Sequence, residues 1–344
     1  MIPVYCFGGY RNRNPLSYDA IRTRLGDRVS LVDTPADARL LVISHHADFH
    51  LFGSQIYEML AAVPNLRLVL LSEEPFWDSI WMPDPVSRHQ VRETVHGVLP
   101  FTVLNHVTSD IYKSERIPYF LLTDPRYIAH YRPMTARNAG MSATAWHHHF
   151  SQARADAVFL NIRRTGQVFS PCFEDADMWA LSVYRSDLAA QCIGRNVVRK
   201  GYGWEDAPLR QELDDWHRDK LFRFDHSCRY MSAFENTHHP DYVSEKIYDA
   251  FAVGAVPLYY ASSGHRVSRL LGTEGWRNFF DHTDTIPVFD AEQPVDQKTC
   301  EGYARTQEYL ARLFDDRQAI EAEYERLCVA LVHELNSVIS GRRT

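Results

Sequence analysis

The first third of the chain alternates short apolar runs with amphipathic stretches. Apolar runs of this length are typical of buried strands, and they predict strands at Pro3–Phe7, Arg28–Val32, Leu40–Ser44, Leu66–Leu71 and Phe101–Leu104. The clearest helical pattern between them spans Gly53–Ala62, where Ile56, Met59 and Leu60 share one face. Strands that alternate with helices in this way predict a parallel sheet covered by helices on both sides.

The pattern weakens over Tyr127–Gly140, which is polar and irregular, and then resumes. The later segments are predicted as strands at Ala157–Ile162 and Trp179–Val183 and a helix at Asp187–Gly194. A strand–turn–helix–strand unit follows, with the strand at Tyr230–Phe234, the turn at Glu235–Pro240, the helix at Asp241–Val253 and the second strand at Ala255–Tyr260. Gly254 ends the last of these helices, because glycine takes the left-handed conformation past a helix without a side-chain penalty. From Gly302 onward the pattern indicates amphipathic helices without strands.

These elements predict an α/β protein with two doubly wound halves that face each other across a cleft. The stretch in which the hydrophobic pattern weakens predicts a junction between the two domains near residue 155. The predicted divisions are an N-terminal Rossmann-like domain at 1–155, a second Rossmann-like domain at 156–302 and C-terminal helices at 303–344.

Composition narrows the range of functions. The 45% hydrophobic and 24% charged content is typical of a folded globular protein, and the formal net charge of −7 argues against a nucleic-acid partner. The six cysteines form no CxxC pair and are predicted to be free thiols. The chain shows neither a signal-peptide layout nor an apolar run of about 18 residues. We therefore expect a protein of the cytoplasm, either free or peripheral to the cytoplasmic face of the inner membrane.

The strand–turn–helix unit carries the best-defined candidate site. Asp241 suits the N-cap of the helix, and residues spaced four apart from Val243 would bury one face. This leaves Tyr242, Glu245 and Lys246 beside the helix start, away from the core. Backbone N–H groups and the helix dipole make such a start suitable for phosphate, and Lys246 would add a positive charge. The alternative is an ordinary amphipathic helix whose charged residues are solvated.

The segment FENTHHPDYVSEKIYDAFAVGAVPLYY, residues 234–260, resembles the signature of the α1,3/4-fucosyltransferase family, glycosyltransferase family 10. The signature has a short spacer between Phe-Glu-Asn-Ser and Asp-Tyr-Val-Thr-Glu-Lys, and this chain keeps the length of that spacer. Thr237 stands in place of the serine and Ser244 in place of the threonine. Two shorter segments, residues 104–120 and 180–194, are similar to further family segments in the expected order.

The resemblance implies the GT-B fold, with two Rossmann-like domains and the nucleotide held by the C-terminal one. It implies donor contacts, which correspond here to Arg185, Asn236, Tyr242, Glu245 and Lys246. Arg185 and Lys246 would neutralise the leaving pyrophosphate, and Glu245 would contact the ribose or the sugar. No cofactor and no metal site are expected, since positioned cations can stabilise a leaving phosphate.

The stretch LRLVLLSEEPFW places Glu73 and Glu74 at the C-terminal end of an apolar strand, the edge where ligands bind in open α/β sheets. An inverting transfer needs a carboxylate to take the proton of the acceptor hydroxyl. The pair resembles the family's Glu-Ser-Pro turn, which assigns the base to Glu73, with Glu74 as its rival. Glu74, Trp77 and His45 are further candidates for contact with the acceptor.

The predicted function is therefore an inverting, metal-independent α1,3-fucosyltransferase. It would move fucose from GDP-fucose to an oligosaccharide or lipid-linked glycan of the bacterial surface, as in lipopolysaccharide biosynthesis. One alternative is transfer of another sugar, such as galactose, from a different nucleotide. Another is a non-catalytic nucleotide- or glycan-binding module. A nicotinamide oxidoreductase would need a Gly-x-Gly-x-x-Gly fingerprint, and the chain lacks it.

Overall fold

The computed structural model describes residues 1–204, 214–280 and 286–341. The chain divides into two compact units, one formed by residues 1–124 with 321–344 and the other by residues 125–320. Residues 342–344, which the sequence assigns to the C-terminal helices, lie outside the described part. Each unit is an α/β body with its own parallel sheet, so the predicted class is confirmed. The placement of the two bodies across a cleft stays a prediction.

The first unit contains six strands and the helices between and after them. The strands are β1 Ile2–Cys6, β2 Val29–Leu31, β3 Leu40–Ile43, β4 Arg67–Leu71, β5 His89–Thr94 and β6 Gly97–Leu104. The helices are α1 Asp19–Leu25, α2 Ala47–Ala62, α3 Pro75–Trp81 and α4 Tyr119–Thr123, together with the later part of the C-terminal helix. Strand β3 is buried along its whole length, which explains its continuous apolar sequence.

The first sheet has the strand order β2-β1-β3-β4-β6-β5, and all pairs are parallel except β5 with β6. The chain starts in β1, moves outward to β2, and then returns to the other side of β1 at β3. The order therefore reverses between β1 and β3. In open α/β sheets the crevice beyond the strand ends at such a reversal is the usual ligand site.

The described residues of the second unit, 125–204, 214–280 and 286–320, contain eight further strands. They are β7 Ala155–Leu160, β8 Cys172–Phe173, β9 Met178–Ala180, β10 Val197–Lys200, β11 Cys228–Ser232, β12 Thr237–His238, β13 Val256–Tyr259 and β14 Arg277–Asn278. The helices are α5 Arg126–Asn138, α6 Ala143–Ser151, α7 Ser182–Gln191, α8 Trp216–Phe224, α9 Glu245–Ala252, α10 Val267–Leu271 and α11 Gln297–Asp315. The last helix, α12 Arg317–Ser340, begins here and belongs to the first unit from Glu321 onward.

The second sheet is parallel throughout, in the order β10-β7-β11-β13-β14. Its order reverses between β7 and β11, so the expected ligand position lies beyond those two strands. A small antiparallel sheet of order β12-β9-β8 is formed by segments that follow β7 and β11 in the chain. The segments after β7 and β11 therefore meet at this end of the sheet.

The boundaries of the two units differ from the divisions predicted at 155 and 302. The stretch Tyr127–Gly140, which the sequence pattern indicates as irregular, lies mostly in the helix α5, and α5 belongs to the second unit. That helix packs on α9 and α11. The amide of Asn138 donates to the carbonyl oxygens of Phe251 and Ala252 at 3.1 and 3.0 Å, and the Tyr131 hydroxyl donates to Asp249 at 2.7 Å. The helix was not predicted, because these two buried residues are polar and interrupt the apolar pattern of its inner face.

Two further differences concern local structure. The predicted strand Trp179–Val183 ends at Ala180, and α7 begins at Ser182, five residues before the predicted helix start. Gly254 does end α9 in the left-handed region, at φ +75°, as the sequence predicts. None of the helices in the described part of the chain combines the length and apolarity needed to cross a membrane.

Candidate active site

The turn after β1, where the strand order of the first sheet reverses, requires glycine at position 8. Gly8 follows β1 and adopts φ +105°, and a Cβ there would collide with the Asp48 carboxylate. The backbone N–H of Gly9 donates to Asp48 Oδ1 at 2.9 Å. The chain after β1 therefore passes close to the start of α2, which also follows β3. This contact brings the segments after β1 and β3 together.

Glu73 lies beyond the end of β4 at the same sheet edge and is 3% exposed. The hydroxyl of Tyr18 donates to Glu73 Oε1 at 2.7 Å, and that of Tyr119 donates to Oε2 at 2.6 Å. Burial raises the pKa of Glu73 to about 7, against the opposing effect of the two hydrogen bonds. A carboxyl group with a pKa near neutrality can exchange a proton at physiological pH.

Glu74 has a different environment although it is the next residue. Its Oε1 accepts from the Arg13 guanidinium at 3.0 Å, and its side chain keeps 18% of its exposure. Glu74 stands at the N-cap of α3, and Pro75 takes the first helical position, which proline favours. The two glutamates thus differ in burial and partners, as expected from their alternation along an extended segment.

His45 and Trp77 are brought together with Tyr10 in one aromatic cluster. The His45 ring stacks on Tyr10 with centroids 4.2 Å apart and lies 5.7 Å from the Trp77 ring. Its Nδ1 accepts from the backbone N–H of Ala47 at 2.9 Å. Burial and then the charge of Arg13 lower the pKa of His45 to about 4, so the ring is neutral at physiological pH. The acceptor candidates predicted from sequence all lie in the first unit.

The reversal point of the second sheet is organised around Glu235, which follows β11 and is 3% exposed. Its Oε1 accepts from the backbone N–H of Ser244, and its Oε2 accepts from the Ser244 hydroxyl, both at 2.7 Å. The ammonium of Lys246 donates to the same Oε2 at 2.7 Å and to the Ser244 hydroxyl at 2.8 Å. One carboxylate therefore joins the strand end to the start of α9.

Lys246 is charged in this arrangement. Burial of the ammonium works against protonation, but the negative charges of Glu235 and Glu245 outweigh it and raise the pKa of Lys246 above its usual range. Its side chain retains 26% of its exposure, so it is only partly covered by the protein.

Arg185 lies on α7 and is 9% exposed. Its guanidinium is 3.4 Å from the carbonyl oxygen of Phe234, the residue before Glu235. The carbonyl of Asn236 accepts from the backbone N–H of Leu181, which precedes α7, at 2.8 Å. The structure therefore brings Arg185, Asn236 and Lys246 to the same sheet edge.

The helix start differs from its prediction in three respects. Asp241 does not cap α9; it pairs with Arg266 at 2.6 Å, and Ser244 occupies the N-cap position. Tyr242 and Glu245 are buried, 1% and 5% exposed, instead of lying away from the core. Tertiary packing buries every residue of α9 except Lys246, so the four-residue spacing could not identify an outer face.

One turn further along, α9 carries a second buried ion pair. Lys220 on α8 pairs with Asp249, which also accepts from the hydroxyl of Tyr131 and approaches His217 Nε2 at 2.7 Å. This network anchors α9 to α5 and α8, away from Glu235. It explains why the polar residues of α9 are tolerated inside the unit.

Sequence reasoning missed three residues of these sites. Tyr18 and Tyr119 reach Glu73 from 55 and 46 residues away, so no local signal could have identified them. Glu235 lies inside the Phe-Glu-Asn segment of the signature, and that match was a usable signal. In residues 1–204, 214–280 and 286–341, no three His, Cys, Asp or Glu side chains are grouped so that they could hold a metal ion.

Comparison with known proteins gives matches to one enzyme family. Residues 200–301 match the family model described as glycosyltransferase family 10 (fucosyltransferase) C-term. The segment contains Glu235, Asn236, Tyr242, Glu245 and Lys246, whereas Arg185 lies before it.

The chain is also similar to curated relatives named 4-galactosyl-N-acetylglucosaminide 3-alpha-L-fucosyltransferase 9. Those of Rattus norvegicus, Mus musculus and Homo sapiens are each 32% identical over 142 residues, which is 40% of this chain and 35% of the relative. The match thus spans about a third of the length of these relatives.

Two crystal structures are similar over 100% of this chain and 90% of theirs. The first, of alpha1,3-fucosyltransferase with GDP-fucose, gives a TM-score of 0.44 at 11% identity. The second, of alpha1,3-fucosyltransferase, gives 0.40 at 12%. The family match over residues 200–301 and the curated relatives confirm the predicted resemblance to glycosyltransferase family 10.

Proposed function

We propose that this protein is an inverting α1,3-fucosyltransferase that moves fucose from GDP-fucose to a glycan hydroxyl. The observation that carries the proposal is the Lys246 ammonium fixed by Glu235 at the reversal point of the second sheet, inside the segment that matches the family. The curated relatives are named as 3-alpha-L-fucosyltransferases, which supports fucose as the transferred sugar.

The donor is proposed to bind the second unit. A nucleotide diphosphate carries several negative charges, and Lys246 and Arg185 supply two cations at the sheet edge where ligands of such folds bind. Lys246 is partly exposed and lies in the first turn of α9, whose backbone N–H groups also favour phosphate. Asn236, Tyr242 and Glu245 are proposed to complete the donor site.

The chemical step is a displacement at the anomeric carbon of fucose. The acceptor oxygen forms a bond to that carbon while the bond to the β-phosphate oxygen breaks, and the electron pair leaves with GDP. Lys246 and Arg185 are proposed to stabilise the charge on the leaving diphosphate. Glu73 is proposed to take the hydroxyl proton, which suits its pKa of about 7. The scheme uses no metal and no cofactor.

Acceptor recognition is proposed for the first unit. The His45 and Trp77 rings form an apolar patch of the kind on which sugar rings stack, and Glu74 offers a charged carboxylate beside it. A bacterial surface glycan or a lipid-linked saccharide, reached from the cytoplasmic side of the inner membrane, is the proposed acceptor class.

Calorimetric titration with GDP, UDP, CMP and ADP tests the donor assignment. Each titration is run without added metal and again with EDTA. We expect GDP to bind and the other three to bind at least tenfold more weakly, with no effect of EDTA. Preference for UDP would remove fucose and favour transfer of another sugar, such as galactose. GDP binding without any consumption of GDP-fucose would favour a non-catalytic module.

A further inference from the structure

We propose that Tyr18 and Tyr119 are positioning residues that hold the Glu73 carboxylate ionised and fixed in orientation. This inference deepens the proposed function and rests on it, because it gives Glu73 the role of the base. Neither tyrosine lies in residues 200–301, which match the family model. Tyr119 lies in the segment 104–120, which is similar to a further family segment, and Tyr18 belongs to no motif of the sequence.

The two hydroxyls come from separate elements and contact different oxygens. Tyr18 stands at the N-cap of α1 and donates to Glu73 Oε1 at 2.7 Å, while Tyr119 is the first residue of α4 and donates to Oε2 at 2.6 Å. One donor on each oxygen fixes the rotation of the carboxylate about its last side-chain bond. Each oxygen retains a second lone pair, so an acceptor hydroxyl can still donate to it.

Burial strengthens this arrangement. Glu73 is 3% exposed and Tyr119 is 2% exposed, and hydrogen bonds to a carboxylate gain strength where water is excluded. Burial and the Glu73 charge raise the pKa of both tyrosines above its usual range. The hydroxyls therefore remain protonated and act as donors throughout the physiological range.

Other titratable groups face Glu73 without bonding to it. Arg13 is paired with Glu74, which adds a repelling charge, and Tyr112 packs edge-on against Tyr119 with ring centroids 4.9 Å apart. Beyond Tyr112, the buried Asp78 accepts from the Ser72 hydroxyl at 2.7 Å. The donors that bond Glu73 in the described residues are thus neutral. Neutral donors stabilise the ionised form of Glu73 less strongly than a cation would. The Glu73 carboxylate therefore stays basic enough to take a proton.

The titration of the Glu73 carboxyl carbon tests the inference without any substrate. NMR of the ¹³C-glutamate-labelled full chain gives its pKa, and Glu73→Gln identifies the signal. We expect Tyr18→Phe and Tyr119→Phe each to raise this pKa by about one unit, because each removes a bond that favours the carboxylate. Tyr112→Phe is the matched control: this buried tyrosine belongs to the same cluster, but its hydroxyl bonds to nothing in the described residues. It should leave the pKa unchanged.

The pH profile of GDP-fucose hydrolysis, with water in place of the acceptor, gives a second readout. The acidic limb of kcat/KM should move upward in both tyrosine variants, whereas a merely structural role would lower the rate equally at every pH. An unchanged Glu73 pKa in both variants, or the same shift in Tyr112→Phe, overturns the positioning role while leaving the proposed function intact. Undiminished hydrolysis by Glu73→Gln overturns the base assignment, and the positioning role with it.

Discussion

Glu73 and Glu235 follow strands at the same edge of their respective sheets, and both are 3% exposed. Their partners differ. Glu73 is bonded by two neutral tyrosine hydroxyls, whereas Glu235 is bonded by an ammonium, a hydroxyl and a backbone N–H. Burial raises the pKa of both carboxyl groups, and at Glu235 the charge of Lys246 opposes that rise.

This difference separates two uses of a buried carboxylate. Neutral donors leave the charge of Glu73 uncompensated, so the group remains close to its proton-exchange point. A cation converts Glu235 into half of an ion pair, and removal of either partner would leave a buried charge alone. We infer that the first unit keeps its carboxylate reactive, while the second uses its carboxylate to hold a cation in place.

Substitution of the first carboxylate should have the largest effect. We expect Glu73→Gln to lower the rate of GDP-fucose consumption by about 10²- to 10⁴-fold, the usual contribution of a general base. Calorimetric binding of GDP should not change, because the donor residues lie in the second unit. Retained turnover in this variant would show that Glu73 is not the base, and that the proposed contrast with the structural carboxylate of Glu235 is wrong.

Substitution of the cation tests the other half of the comparison. Lys246→Met should weaken GDP binding by about 10- to 100-fold, since it removes a charge-assisted contact to phosphate. It should also lower the free energy of unfolding by about 3 kcal/mol, because Glu235 is left buried and unpaired.

Lys220→Met is the matched control for that experiment, since it breaks the other buried ion pair on α9. A similar loss of stability is expected, with unchanged affinity for GDP. If both variants weaken GDP binding equally, the effect of Lys246 comes from the folding of α9 and not from contact with phosphate.

The pH dependence of activity should follow the first carboxylate alone. Glu73 must be ionised to accept a proton and has a pKa of about 7. The value of kcat/KM for GDP-fucose should therefore be half-maximal near pH 7 and fall about tenfold for each unit below it. An acidic limb near pH 4.5 would instead indicate an ordinary solvated carboxyl group.

The smallest effect is expected from the neighbouring glutamate. Glu74→Gln breaks a pair whose arginine is 46% exposed, and such pairs contribute at most about 1 kcal/mol to stability. The rate of GDP-fucose hydrolysis should change less than about fivefold. A loss as large as that of Glu73→Gln would transfer the base role to Glu74.

The sequence determined much of this molecule by itself. Apolar runs predicted the parallel strands of the first sheet and the three central strands of the second, because a strand buried on both faces is apolar along its whole length. The edge strands β5, β10 and β14 were not predicted. A glycine after an apolar helix predicted the end of α9. The signature over residues 234–260 predicted the family, since its residues are local in the chain and their spacing is fixed by one strand, one turn and one helix.

Only the tertiary structure decided the partners of those residues. Tyr18 and Tyr119 meet Glu73 from distant positions, and Arg266 takes Asp241 away from the helix start. The sequence pattern did not indicate helix α5, because two of its buried residues, Tyr131 and Asn138, are polar and bond inside the unit. Periodicity reports which residues share a face, but the pKa of a carboxyl group depends on burial and on donors that the fold brings from elsewhere in the chain.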